Sequence, residues 1–537
     1  MKKIESLFVS GILVGVIAVM GGIVLRTGGI DNGANATIQM TKYGAFLAAQ
    51  HAVFANDFDA AAQFSDVLDV NGVPVVQNIK TMSSFLSGRM PNNVADLKKE
   101  SGTAARLIYD AYLVNADNWD EMYSRHKNDR SALAAPLRIW SSVAINHKTE
   151  ALKFIDSLET SDSWKSFVRG QIYAETGDIK KAADEFSRVS PAFMNINDYL
   201  YMMSFYRHNN MGDAADVLHD SFTAQPGGMF VSDFDDIPDW IEYSGYKNVL
   251  AFSLVQNVSH TQAMMYSDLA VLLLRFAQVV DQNRANENDA ISYYLGQYFF
   301  SNGGEYESYF AKIKSTSPYY PFAMLRMAEG TGDVLKLRRV LRAYPLFVPA
   351  LNKMVTHYIA AGNRRAAIKI INRALNNKTL SDENHAFFLK CRAQIYFAFG
   401  DLEQSQSDIH AASDVLGLDA EIVALQAKIW AAQNREIETA YGYAFDLVRR
   451  NPSDVFVWDV LGRVVATREG PEAALDLISR VGDVANECSS LFENLGDLYF
   501  QVGNNKMAAD AYMRAIELSD DGLVVVPRVR QKLRKVK

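Results

Sequence analysis

Cysteine, proline and histidine are all scarce in this chain of 537 residues, and each scarcity excludes something. Cys391 and Cys488 are the only cysteines. Two thiols so far apart make neither a disulfide framework nor a zinc site. Thirteen prolines leave long helices permitted. No two of the nine histidines are spaced to share a metal on one helix. A G-x-S-x-G elbow, a GxxxxGK[ST] phosphate loop and a G-x-G-x-x-G turn are also missing. No enzyme chemistry, no cofactor and no metal are therefore expected. Positive charge is not in excess either. The net charge is −8, and residues 523–537 hold six basic and no acidic residues, so the rest carries −14. That excludes broad nucleic-acid binding, which needs a basic face.

What is present begins with "MKKIESLFVSGILVGVIAVMGGIVLRTGG". Lys2 and Lys3 precede an uncharged stretch, residues 7–25, long enough as a helix to span a bilayer core. The lysines would remain in the cytoplasm, which puts the rest of the chain outside it. Two readings of residues 1–36 stand. A cleaved signal peptide finds its small-x-small site at Ala34–Ala36. A retained anchor fits the length of the apolar run. The expected location is the bacterial cell envelope: held in the inner membrane facing the periplasm, or periplasmic after cleavage.

The remaining length is too great for one core, so a repeat array or several domains is expected. The last part contains "LFENLGDLYFQVGNNKMAADAYMRAIELS", residues 491–519. Gly496, Tyr499, Gly503 and Ala508 sit there at helical offsets. The order recurs upstream. Trp458, Leu461, Gly462 and Ala474 repeat it, with Leu461–Gly462 34 residues before Leu495–Gly496. Tyr396 and Gly400 repeat it again, as do Tyr358, Gly362 and Ala367. Far upstream, Gly170, Tyr173, Gly177 and Ala182 follow it strongly. Within a unit the small and apolar positions lie three or four residues apart, which is one helical face. Gly-Asn or Gly-Asp then ends the first helix and a second begins. A single pair of helices is too thin to bury its own face, so it must stack on neighbours.

The 34-residue period and the order of Trp or Phe, Leu-Gly, Tyr, Gly, Ala resemble the tetratricopeptide repeat. The layout also resembles exported or membrane-anchored bacterial proteins of that family. The resemblance implies an all-α, right-handed solenoid of antiparallel helix pairs behind the N-terminal apolar helix. It divides the chain into a degenerate helical array at 37–225, a second array at 248–527 and a basic capping segment at 528–537. The stretch 226–247 between the arrays, with Pro226-Gly227-Gly228 and Pro238, reads as a solvated linker. Packing of Val529, Leu533 and Val536, with the basic face outward, is expected of the cap.

The family further implies protein–protein scaffolding. In it the first helix of each pair lines a concave surface that meets a peptide or partner protein. On this chain those positions are Lys390, Gln394, Phe397, Asp459, Arg463, Glu493, Asp497, Phe500 and Gln501. Their mixed charge departs from a lysine–asparagine clamp for an acidic tail, since Asp459, Glu493 and Asp497 would repel a carboxylate. An interaction scaffold or assembly factor of the envelope is expected. An accessory arm of an envelope enzyme and a self-assembling structural protein are the alternatives.

Overall fold

Helix follows helix through the computed structural model, which describes residues 42–536 apart from 69–73, 93, 100–101, 234–236, 262–266, 283–287, 379 and 485–487. The apolar stretch 7–25 and the site at Ala34–Ala36 lie outside the described residues. Among the described residues there is no strand, and no helix is long and apolar enough to cross a membrane. The fold is an all-α solenoid of antiparallel helix pairs.

The pair Ser489–Gln501 and Asn505–Glu517 shows how the sequence makes each unit. Gly503 takes a φ of 81°, a left-handed conformation that glycine adopts without a Cβ penalty. The next residue, Asn504, accepts the Met507 N–H and starts the second helix. Gly496 lets the two helices close. A Cβ there would lie 2.4 Å from the Tyr512 ring. Gly170 meets Phe186 at the same 2.4 Å, and Gly462 meets Ile478 at 2.8 Å. On the second helices Ala182, Ala367, Ala474 and Ala508 are fully buried. Tyr358 is buried, and Tyr173, Tyr396, Trp458 and Tyr499 are half-buried along the seams. Gly177, Gly362 and Gly400 make the same positive-φ turn as Gly503.

The array does not simply run from neighbour to neighbour. Helices Tyr246–Ser259 and Asp268–Val280 pack back on Thr103–Asn115 and Ala135–Ala144, and one apolar core takes in all four. The Trp140 indole N–H donates to Ser253 Oγ at 2.9 Å in its middle. Lys247 donates to the Asn115 carbonyl at 3.1 Å and to Asp117 at 2.8 Å. Where it is described, the stretch 226–247 that leads into this core packs part of its length against the array rather than forming a solvated linker. Phe230 is 1% exposed and meets the rings of Phe322 and Phe347 at 5.2 and 5.3 Å. Trp240 meets Tyr201 at 5.2 Å. Its prolines and glycines do break the helical pattern. Its aromatic side chains still supply enough apolar surface to be buried.

Glu175 ties the first array to this second set of helices. One carboxylate oxygen accepts the Gly245 N–H at 2.8 Å, and the other is buried without a hydrogen bond. Burial raises its pKa against the Gly245 bond, to about 7 from 4.5. A carboxyl so raised adds stability that is complete below about pH 4.5 and is lost as pH rises toward 7. Glu175→Gln keeps the acceptor and removes the charge. It should raise the melting temperature at pH 8, by the equivalent of up to roughly 3 kcal/mol. At pH 4.5 the melting temperature should barely move. Equal changes at both pH values would refute the assignment.

Candidate protein-binding face

First helices Asp382–Ala398, Ala420–Gln433, Val455–Glu469 and Ser489–Gln501 stand side by side and present one face. Ion pairs between neighbouring helices cross it. Lys390, 8% exposed, reaches Asp419 at 2.9 Å and Glu421 at 2.8 Å. Burial pulls its ammonium pKa down, but these two carboxylates outweigh that and hold it above its ordinary value.

The next layer centres on Asp459, which is fully buried. It accepts from Ser490 Oγ at 2.6 Å, Arg463 Nε at 2.9 Å and Asn494 Nδ2 at 3.2 Å, with the Lys428 ammonium at 3.8 Å. Burial opposes its charge, yet Arg463, Lys428 and Ser490 keep its pKa below the usual carboxylate range. Arg463 also donates to the Ser490 carbonyl at 2.9 Å, which locks this first helix to the next.

The third layer is closed by the end of the chain. Helix Val526–Val536 folds across the face. Arg528 makes two bonds to Glu493, at 2.9 and 2.7 Å, and also reaches the Ala398 carbonyl. Lys532 donates to Glu493 at 2.9 Å and to Asp497 at 2.6 Å. The two cations are spaced i, i+4, as are the two carboxylates, so each helix offers a matching row. Burial would raise the Glu493 pKa, but Arg528 and Lys532 outweigh it and hold it at about 2. Val529 is fully buried beside Ala508 and Tyr512, and Leu533 and Val536 are partly buried there. The cap therefore packs as its apolar spacing indicates. Its basic face is divided: Arg528 and Lys532 point inward, while Arg530, Arg534 and Lys535 are exposed.

These contacts revise the expected client surface. Lys390, Asp459, Arg463, Glu493 and Asp497 are engaged within the chain, so they are not free contacts for a client. Helical periodicity places these residues on one side of the first helices, but it does not show that neighbouring first helices carry opposite charges at the same level. Phe397 is half-buried, with Lys428 5.2 Å from its ring centre. Gln394, Phe500 and Gln501 are exposed, Phe500 by 45%. Sequence reasoning missed Lys428, Ser490 and Asn494. The pairing of Arg528 and Lys532 with Glu493 and Asp497 was missed as well, since the basic face of the cap was expected to point outward.

An open groove of about 300 Å³ remains beside the docked helix, bounded by Phe397, Ala432, Arg463, Glu493 and Lys532. Ser490, which also lines the groove, donates its hydroxyl to Asp459. Cys391 and Cys488 are free thiols, and burial pushes each up to about 12. A thiol held protonated is inert. Among the described residues, no group of three metal-ligating side chains is gathered.

Known proteins resemble parts of this arrangement. The family model described as tetratricopeptide repeat matches residues 489–521. No curated protein is significantly similar in sequence. A tetratricopeptide repeat protein of Parabacteroides merdae is a similar solved structure. It is 14% identical, covering 46% of this chain and 98% of that one, with a TM-score of 0.34. The Cut9–Hcn1 hetero-tetramer of the APC/C is 12% identical over 92% of this chain and 96% of that one, with a TM-score of 0.35. Yeast Tom70 is 12% identical over the same shares, with a TM-score of 0.28. The matched repeat is the pair that Gly496 and Tyr512 close, and the same helix–turn–helix geometry recurs upstream of it at Gly462 and Gly170. Residues 489–521 thus match a tetratricopeptide repeat, set within an all-α solenoid of helix pairs.

Proposed function

We propose that this protein is a non-enzymatic interaction scaffold that holds a peptide or partner protein on the first-helix face of its C-terminal array. The observation that carries the reading is the open groove beside helix Val526–Val536, with Phe397 at its edge. Phe500 and Gln394 are exposed on the same helices. Solenoids of stacked helix pairs use such extended faces for binding. The internal ion pairs hold the face rigid, which lowers the ordering cost of association. An apolar anchor at Phe397 and Phe500 with scattered polar contacts suits a client other than a free carboxylate tail.

The client-binding region is proposed to lie outside the cytoplasm, in the cell envelope, on the strength of Lys2, Lys3 and the apolar stretch 7–25. A reporter joined after residue 60 should be active only beyond the inner membrane. Activity confined to the cytoplasm would remove this part of the proposal.

The binding face is tested by photo-crosslinking in cells from Gln394 and Gln501, with Arg449 as a second-helix control. Capture of one defined partner from the first two positions and none from Arg449 is expected. Phe397→Ala with Phe500→Ala should weaken that capture and leave the melting temperature nearly unchanged. Equal capture from Arg449 would mean that the face is wrongly assigned. Capture of a second copy of this chain would replace the client with self-assembly.

A further inference from the structure

A second groove lies further upstream along the array, between two second helices. Helices Val334–Ala343 and Arg364–Leu375 flank an open cleft of about 980 Å³. Residues 334–380 contain ten basic residues and no acidic one, so the rest of this −8 chain carries −18. The cations are not scattered. Arg338 and Arg342 form an i, i+4 row on one helix, and Arg365, Lys369 and Arg373 an i, i+4, i+8 row on the other, all of them lining the cleft. All five are exposed. Among the described residues, Arg342, Arg365, Lys369 and Arg373 have no ion-pair partner, whereas neighbouring Arg364 is taken by Asp401. Like charges at i, i+4 repel one another and destabilise a helix. Two such rows facing one cleft are a standing cost that an anionic occupant would relieve.

The floor decides what kind of anion fits. It is aliphatic: Leu341, Leu351, Ile368 and Ile370 line it between the rows. Leu341 and Leu351 are buried, and Ile368 and Ile370 are half-exposed. Nucleic acid bound in a groove needs aromatic faces for its bases. The one aromatic here, Tyr358, is 9% exposed and its hydroxyl accepts from Arg338 at 3.2 Å. A helix with apolar residues along one side and carboxylates along both edges matches floor and rims together. We propose that this cleft is a docking site for an acidic amphipathic helix of a partner protein, separate from the first-helix face.

The test uses the full-length chain and a fluorescent peptide of about four helical turns, Leu on one face and Glu on the rest. Controls are the same residues scrambled to abolish the apolar face, and single-stranded DNA of about 20 nucleotides. Wild type should bind the amphipathic peptide with an affinity that falls as salt rises. Arg342→Glu, Lys369→Glu and Arg373→Glu together should weaken it about tenfold or more, with the melting temperature unchanged. Lys353→Glu, which lies on the intervening helix and outside the cleft lining, should leave it intact. The scrambled peptide and the DNA should bind markedly less. Equal binding of the scrambled peptide would overturn the floor's role, and tighter binding of DNA would overturn the ligand class. An affinity that survives the triple reversal would overturn the site. Because the substituted side chains are exposed, a variant that fails to fold is not expected. If it does, Arg342→Gln with Lys369→Gln should give the smaller loss in the same direction.

Discussion

Trp140→Ala should cost about 3–5 kcal/mol and unfold more of the chain than its own helix pair. Trp140 is 1% exposed in helix Ala135–Ala144, and it is the side chain by which that helix reaches Ser253 across the sequence gap. Truncation leaves a large cavity where helices from both sides of residues 226–247 meet. It also leaves Ser253 with only its bond to the Val249 carbonyl. In a linear solenoid each repeat feels its neighbours alone, and damage at 140 would leave residues 246–280 protected. Here the shared core predicts the opposite. Hydrogen exchange should show protection lost together in 103–144 and 246–280, and urea unfolding should shift to a lower midpoint. Loss confined to 103–144 would show that the crossing contact is not cooperative.

That crossing core marks where the sequence stopped being readable. The helix pairs were legible because each turn needs a left-handed residue, and Gly177, Gly362, Gly400 and Gly503 announce it. The weaker pairs make the same turn with Asn56, Asp117, Asn146 and Asn210, whose φ values are 57°, 56°, 65° and 56°. Asn and Asp tolerate this region, so "Asp117-Asn118" and "Asn146-His147" are the Gly-Asn turn in another form. Asp117 and Asn146 explain why the helices from Thr103–Asn115 to Lys148–Asp156 fold as pairs despite lacking the small-residue pattern. The crossing itself leaves no local trace. Nothing in "LAVLLL", Leu269–Leu274, says which earlier helices it will cover; it says only that every side is apolar and must be buried.

The proposed binding face was half legible for a related reason. Periodicity locates a face, and Gln394, Phe500 and Gln501 are exposed on it. Charge placement depends on what the neighbouring helix brings to the same level, and that is a matter of register between repeats. The terminal helix illustrates both sides. Its apolar positions, Val529, Leu533 and Val536, read as a cap and pack as one. Its attachment to Glu493 depends on how it folds back over the last pair, and the bond from Arg528 to the Ala398 carbonyl needed the array to curve far enough for the chain's end to meet a helix several pairs earlier.

Asp459→Asn should be among the most damaging single polar substitutions in the C-terminal array, at about 3–5 kcal/mol. The side chain is fully buried, and its charge is what permits Lys428 to sit at 6% exposure beside it. Burial already pulls the Lys428 pKa below its ordinary value, with Asp459 pulling it back up. Removing the carboxylate leaves the ammonium dry and uncompensated. The penalty falls on Lys428 more than on Arg463, whose side chain is 24% exposed and keeps the Ser490 carbonyl as a partner. Two consequences follow from that asymmetry. A lysine whose pKa is depressed in the folded state gives stability that is complete above its unfolded pKa, 10.5, and is lost as pH falls through the folded value. The deficit of Asp459→Asn against wild type should therefore narrow as pH is raised toward 10. Removing the stranded charge should also recover stability, so Asp459→Asn with Lys428→Met should be more stable than Asp459→Asn alone by about 1 kcal/mol or more. Urea unfolding of the two single variants, the double variant and wild type measures this directly. If the double variant loses as much as the two single losses added together, Asp459 and Lys428 are not coupled, and the buried pair does not organise this face.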